Sequence, residues 1–193
     1  MENDNELKSF KKFYNANPDI KPNTPELVEG ESNPKKLPSD IVEILDARIG
    51  DEYTAHYFYR NAANWCKNAN YNKAASFFDA EASSELEHAQ GLQDYLIQWN
   101  LLPAIPQAPT RHDFEGLVDI IKKAYDLEYG LFTKYSGDQK ALFGEHPATF
   151  NFIQKYVDIQ NSSVAEYSDL LNAIELINTD NKLDVLFFEK NYF

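Results

Sequence analysis

The sequence has little sulfur and no long apolar run. Among its 193 residues there is one cysteine, Cys66, and one methionine, Met1. A single cysteine excludes an intrachain disulfide. No apolar run approaches the roughly 18 residues that a membrane-spanning helix needs, and the N-terminal stretch MENDNELKSFKKFY lacks the apolar segment of a signal peptide. These absences predict a cytoplasmic protein that does not associate with a membrane.

Basic residues are also scarce. There are 18 Lys and Arg against 31 Asp and Glu, which gives a formal net charge of -13. Because nucleic-acid binding requires a surplus of basic residues for phosphate contacts, we do not expect a nucleic-acid partner. A negative field concentrates cations, and it also keeps a protein soluble. The charge alone does not distinguish a cation-handling protein from an ordinary acidic one.

Prolines are concentrated in two places and divide the chain. Residues 1–36 contain four of the nine prolines, among Asn, Lys and Glu, with no sustained hydrophobic period. This composition predicts a flexible N-terminal tail. The second proline-rich stretch, LLPAIPQAPTRH, is the only long connection predicted after the tail. The other connections are short.

Four long helices and one short helix are predicted after the tail. Two short connections and one long one, between the second and third helices, are typical of an all-α four-helix bundle with a crossover. The bundle would comprise residues 37–178, and residues 179–193 would contain the short C-terminal helix. The predicted helices are Ser39–Lys67, Asn72–Asn100, Asp113–Leu142, Pro147–Ile177 and Lys182–Glu189.

Each long helix carries a 3-4 repeat that marks its face toward the bundle interior, here called the inner stripe. The stripes are apolar at both ends but polar near the middle. Burying several carboxylates without Lys or Arg on these positions costs several kcal/mol each, and divalent metal ions would neutralise them. The polar members are Glu52, Glu85, His88, Glu128 and Gln160.

The second helix contains a Glu-x-x-His motif, Glu85-Leu86-Glu87-His88. Its two outer side chains are roughly 60° apart on the helix, so both can reach one ion. Alone, the motif also fits a solvated helix face. Together with carboxylates on the other helices it is typical of di-iron and di-manganese bundles, and oxygen ligands with one imidazole suit iron or manganese.

At these residues the sequence resembles the ferritin family, and bacterial non-haem ferritins in particular. The resemblance covers about residues 37–178 and rests on DEYTAHYFYRNAANWC, SSELEHAQGLQDYL, AYDLEYG and ATFNFIQKYVDIQ. It implies a ferritin-like four-helix bundle that oxidises Fe(II) with O2 at a di-iron site within each subunit. It also implies a closed homo-oligomeric cage of 24 subunits that stores Fe(III) mineral.

The resemblance implies a role for each polar residue of the inner stripes, with two irons per subunit. Glu52 corresponds to a ligand of the first iron, Glu85 to the carboxylate that bridges both irons, and His88 to the imidazole on the first iron. Glu128 corresponds to a ligand of the second iron, and Gln160 to the glutamine beside it.

Four further residues have predicted roles, and three of them also have a second interpretation. Tyr59 corresponds to a core tyrosine that could donate an electron, or it could simply be hydrogen-bonded to a carboxylate. His56 could be an auxiliary metal ligand or a core histidine. Glu81 could pass iron to or from the site. Glu87 would line the cavity and nucleate mineral, or it is an ordinary surface residue.

The sequence also departs from close relatives of this type. Many bacterial ferritins have a carboxylate where this chain has Ser163, and acidic residues of a third iron site where it has Ser84 and Ile159. The departures predict a weaker second iron and no third. Bacterioferritins have a second Glu-x-x-His and a haem-binding Met, and this chain has neither. We therefore expect no haem.

Two alternatives stay open at this point. One is a storage cage with weak or no ferroxidase activity, because the surroundings of the second iron are altered. The other is a di-iron oxidase that acts on an organic substrate, which would need an apolar substrate pocket and no cage.

Overall fold

The computed structural model describes residues 37–107 and 112–193. Within this part the chain forms five helices and no strand, and the all-α prediction is confirmed. None of these described helices is both long and apolar enough to cross a membrane. The predicted flexible tail, residues 1–36, lies outside the described residues. The helices are α1 (Ser39–Asn68), α2 (Asn72–Gln98), α3 (Leu117–Leu142), α4 (Pro147–Ile174) and α5 (Lys182–Tyr192).

Two asparagines end the first two helices. Asn70 and Asn100 have φ of 65° and 59°, in the left-handed region that asparagine tolerates better than most residues. The reversal lets the N–H of Tyr71 reach Cys66 O at 2.9 Å, and the N–H of Leu101 reach Leu96 O at 3.1 Å. These bonds satisfy carbonyls that would otherwise be unpaired at the helix ends.

Three predicted helix boundaries are wrong by three residues or more. The third helix begins at Leu117 rather than Asp113, because Gly116 is extended and the Glu115 N–H is bound by the Asp119 carboxylate at 3.0 Å. The fourth helix ends at Ile174 rather than Ile177, because the N–H groups of Leu176 and Ile177 bond three residues back instead of four. The last helix continues to Tyr192 rather than ending at Glu189.

Hydrogen bonds between helices define the direction of each. Residues later in α1 meet residues earlier in α2, as shown by the Tyr53–Gln93 and Arg60–Asp79 contacts, so these helices are antiparallel. The same order relates α1 to α3, because Glu52 meets Tyr135 and Tyr59 meets Glu128. Consequently α2 and α3 are parallel, and the end of α2 and the start of α3 lie at opposite ends of the bundle. The predicted crossover is confirmed.

Two tyrosines of α4 fix its register against α2. Tyr156 donates a hydrogen bond to His88 O at 3.1 Å, and Tyr167 donates to Glu81 Oε2 at 3.4 Å. Because the later tyrosine meets the earlier residue of α2, these two helices are also antiparallel.

The buried apolar residues form two separate clusters, one toward each end of the bundle. On α1, Ile49 belongs to one cluster and Ala55 to the other. On α4, Tyr156 and Tyr167 are divided in the same way. On α1 and α4 the polar residues of the stripes, Glu52 and Gln160, lie between these members, so the bundle has a polar layer between two apolar layers, as the stripes predict.

Helix α5 is joined to the bundle by a buried carboxylate. Glu189 is 2% exposed, and its Oε1 accepts hydrogen bonds from the N–H groups of Lys73 at 2.7 Å and Ala74 at 3.3 Å. Both N–H groups lie in the first turn of α2, where helical partners are missing and a negative charge is favourable. The contact fixes α5 against the start of α2.

Gly91 leaves room for a tyrosine that supports the polar layer. A Cβ at Gly91 would lie 2.7 Å from the Tyr156 hydroxyl oxygen, and that side chain is 2% exposed. We expect Gly91→Ala to lower the free energy of unfolding by about 1 kcal/mol, since overpacking outweighs the gain in helix propensity. Gly137→Ala, with nothing within 4 Å, should instead add up to about 1 kcal/mol. Denaturant unfolding of both variants tests the pair, and a stabilised Gly91→Ala would contradict the packing.

Candidate metal centre

Glu52, Glu85 and His88 meet in the polar layer. One ligand atom from each lies within 4.8 Å of the other two. His88 Nδ1 is 3.1 Å from Glu85 Oε2 and 3.6 Å from Glu52 Oε2. Both carboxylates are buried and the imidazole is partly buried. Because Glu85 and His88 are three residues apart on α2, one helix face presents both toward Glu52 on α1.

Glu128 and Gln160 lie in the same layer, on α3 and α4, and both are fully buried. The negative charge of Glu128 contributes to the raised pKa of Glu85, which shows that the two carboxylates are close enough to interact. On α4, Gln160 lies between Tyr156 and Tyr167. The partners of these tyrosines on α2 are His88 and Glu81, and Glu85 lies between them. Gln160 is therefore level with Glu85, and all four inner stripes contribute to one region.

Several buried polar atoms of this region make no hydrogen bond within the described part of the chain. They are Glu52 Oε2, Glu128 Oε2 and both amide atoms of Gln160. Leaving a buried acceptor or donor unpaired costs about 1–3 kcal/mol, and native structures rarely tolerate it without a reason. Unpaired carboxylate and amide oxygens in one layer are ligands that a divalent cation would satisfy.

The charges in the cluster favour protonation of side chains that would bind a metal. Burial and the neighbouring Glu52 raise the pKa of Glu85 well above its usual range. Burial lowers the pKa of His88, but its interactions with Glu52 and Glu85 outweigh burial and raise that pKa to about 10. Burial raises the pKa of Glu52, yet interactions with His88, Glu85 and Tyr135 bring it below the usual value. An ionised Glu52 is thus paired with a protonated His88.

Glu128 is protonated more easily than a surface glutamate. Burial, together with the charges of Glu52 and Glu81, raises its pKa to about 7 despite the hydrogen bond from Tyr59. Three buried carboxylates around one positive imidazole leave the cluster short of positive charge whenever all three are ionised. Divalent ions would supply that charge in place of the protons.

Tyr59 and Tyr135 hold the two carboxylates that lie on α1 and α3. Tyr59 donates to Glu128 Oε1, and Tyr135 donates to Glu52 Oε1. Burial raises the pKa of both phenols well above the usual range, so both stay protonated as donors. The 3-4 repeat of the third helix, Leu117, Ile121, Ala124, Glu128, Leu131 and Tyr135, places Tyr135 on the inner stripe, but no role is predicted for it. The missed signal is its spacing: it follows Glu128 by seven residues, as Tyr59 follows Glu52.

His56, Glu81 and Glu87, the other residues with predicted metal roles, lie on the same two helices as Glu52 and Glu85. His56 Nδ1 is 2.5 Å from Ala82 O, so a hydrogen bond within the bundle occupies that nitrogen. Glu81 is partly buried, and burial with the charge of Glu166 raises its pKa to about 7. Glu87 is exposed. The metal roles predicted for His56, Glu81 and Glu87 stay predictions.

The positions that depart from bacterial ferritins offer only hydroxyls and an alkyl group. Ser84 Oγ lies 3.4 Å from His88 Nε2, on the side of the ring away from the carboxylates. Ser163 is partly buried, and its hydroxyl donates to Ile159 O at 3.4 Å on its own helix. Neither serine adds a charged ligand to the cluster.

A sequence model of the ferritin-like domain family matches residues 42–177. This range includes every residue of the polar layer and all four long helices, apart from the first residues of α1.

Individual proteins show the same similarity. A probable bacterial non-heme ferritin-like protein of Haemophilus influenzae is 26% identical over 149 residues, which is 76% of this chain and 90% of that protein. A bacterial non-heme ferritin of Campylobacter jejuni is 28% identical over 144 residues, covering 73% and 86%. Among solved structures, an open-pore ferritin from Archaeoglobus fulgidus superposes with a TM-score of 0.75 at 21% identity, covering 81% and 98%. That likeness supports the fold.

Proposed function

Since the chain belongs to the ferritin-like domain family, we propose that it stores iron and oxidises Fe(II) with O2 at a di-iron centre in each subunit. The single observation that carries the proposal is the polar layer, where two buried carboxylates, on α1 and α3, and a buried amide on α4 have unpaired atoms. A purely structural bundle would place apolar residues there, because unpaired buried polar groups are costly.

The ligands divide between two iron positions. Glu52 and His88 would bind the first ion, and Glu85 would bridge to the second ion, which Glu128 also binds. Gln160 would contribute its amide oxygen at the second position as a neutral ligand. Two divalent ions carry four positive charges against three carboxylates, so the centre is close to neutral when the imidazole has lost its proton.

In the oxidation, the two Fe(II) ions would give one electron each to one O2 molecule, which with two protons would leave as hydrogen peroxide, and the bundle would keep both ions close enough to act on the same O2. The protein residues hold position and charge, and the metal supplies the redox chemistry. Tyr59 would keep Glu128 in place through the hydrogen bond that it donates, and this contact supports its predicted role as an electron donor.

Storage requires a closed homo-oligomer, and by resemblance we propose a cage of 24 subunits. Relatives described as bacterial non-heme ferritins support this part of the proposal. The acidic composition, with a net charge of -13, supports cation traffic across such a shell.

A storage cage with slow oxidation is the second candidate, and Ser163 favours it. A hydroxyl that donates to its own helix gives the second ion less charge than a carboxylate would. The organic-substrate oxidase has less support. Two surface clefts of the described residues are lined by polar groups such as Arg60 and Asp79 or Glu115 and Asp119, and none of the five proposed ligands lines them.

Anaerobic Fe(II) titration tests the centre and its protonation together. Fe(II) must replace the proton of His88, whose pKa is about 10, that of Glu85, and part of that of Glu128, whose pKa is about 7. We expect two ions per subunit and release of about two to three protons at pH 7. Raising the pH from 6 to 8 removes competing protons, so binding should tighten. Asp94→Asn, on the exposed face of α2, is the matched control. Binding without proton release, or binding that weakens with pH, would contradict the centre.

A further inference from the structure

Glu52 and Glu128 are held in the same manner from opposite helices. In each pair a buried tyrosine of the partner helix donates to Oε1. In each pair Oε2 makes no hydrogen bond within the described chain. One oxygen is therefore fixed by a phenol and the other is directed away from it, which is the arrangement of a carboxylate prepared to bind an ion through one oxygen.

The matched arrangement follows from spacing and direction. On both α1 and α3 the tyrosine follows the glutamate by seven residues, which is nearly two turns on the same helix face. Because α1 and α3 are antiparallel, the glutamate of each helix is level with the tyrosine of the other. The two hydrogen bonds therefore lie on either side of the layer that contains Glu85.

Two contacts hold the Tyr135 ring in place in addition to its hydrogen bond. Its ring stacks on Tyr156 with centroids 5.3 Å apart and an angle of 9° between planes. The Arg48 guanidinium carbon lies 5.9 Å from the Tyr135 centroid, and Arg48 is ion-paired with Asp51 at 3.3 Å and Asp138 at 3.5 Å. The phenol is thereby fixed between an aromatic ring and a paired cation, with its hydroxyl on Glu52.

We propose that Tyr135 is a positioning residue for the first iron: it fixes Glu52 Oε1 so that Oε2 faces the position shared with Glu85 and His88. This inference rests on the proposed function. Glu52 Oε2 is already 3.6 Å from His88 Nδ1. Without the phenol, Glu52 Oε1 loses its partner, and the carboxylate is free to turn away from the position shared with Glu85 and His88.

Anaerobic titration with Co(II), an oxygen-stable substitute for Fe(II) with a visible ligand-field spectrum, tests this role. Tyr135→Phe should weaken the first ion about tenfold, the scale expected when a hydrogen-bond partner of a metal ligand is removed. The spectrum of the first Co(II) should change and that of the second should not. Tyr59→Phe should act on the second ion. Tyr95→Phe, which removes a buried hydroxyl bonded to Thr149 at 2.9 Å, should alter neither.

A double-mutant cycle separates positioning from general packing. In a Glu52→Gln background, Tyr135→Phe should produce no further weakening of the first ion, because it acts through the carboxylate. An equal loss in both backgrounds would overturn the inference. So would a Tyr135→Phe protein with unchanged first-ion affinity and spectrum, provided that the wild type binds two ions. A wild type that binds no Co(II) in this layer would instead refute the proposed function itself.

Discussion

Replacing Glu85 and His88 together by alanine should slow rapid Fe(II) oxidation by about 100-fold or more. Replacing a residue that only hydrogen-bonds to a metal ligand already lowers metal affinity or activity about 10–100-fold, and here two ligands themselves are removed. Glu85 is the proposed bridge and His88 the only imidazole in the cluster, so both iron positions lose a ligand. The bundle should still fold. The two apolar clusters that hold its ends include neither residue, and the substitution removes a buried carboxylate that lacks a full counter-charge.

Stopped-flow oxidation of the double variant measures this effect, and circular dichroism checks that the helices remain. The matched control is Gln90→Ala with Asp94→Ala, which removes two exposed polar side chains of the same helix. The control should oxidise Fe(II) at the wild-type rate. If the Glu85→Ala, His88→Ala protein also oxidised at that rate, the centre would have to lie elsewhere.

Ser163→Glu should tighten the second iron about tenfold and leave the first nearly unchanged, since one added carboxylate near a divalent ion is favourable even after its desolvation. Ser163 lies three residues after Gln160 on α4 and is partly buried, and its hydroxyl is bound only to its own helix. A longer acidic side chain there can reach the second position, whereas the serine cannot supply charge.

The control for this substitution is Ser162→Glu. Ser162 is the preceding residue, is exposed, and makes the same kind of bond to its own helix, to Asp158 O at 3.1 Å. It adds an identical charge on a face that points away from the layer. Anaerobic titration should show the tenfold change for Ser163→Glu alone. Tightening of the first ion, or a wild type whose two ions bind equally well, would contradict the assignment of Ser163.

The sequence predicts the helices and the buried face because both follow from local patterns. The 3-4 repeat identifies the side of each helix that packs inward, and Glu52, Glu85, Glu128 and Gln160 are all buried as expected. Departures occur at helix ends, where a single capping contact decides. The start of α3 is set by the Asp119 side chain bound to Glu115.

Pairing between helices is harder to predict from one sequence. The inner stripe predicts which residues face inward, but the partner of each residue depends on the register between helices. That register is set by packing along the whole length of the helices. The repeat therefore places Tyr135 on the inner stripe but does not identify Glu52 as its partner. The two α4 tyrosines, Tyr156 and Tyr167, were likewise visible, but their contacts with α2 needed the structure.

Storage by a closed shell is tested most directly by sedimentation before and after aerobic addition of Fe(II). A storage cage predicts one large closed species at neutral pH that sediments faster once loaded, because the iron stays inside the particle. Species of only one or two chains, with iron that precipitates or remains free in solution, would contradict iron storage and favour an oxidase that acts without a cage.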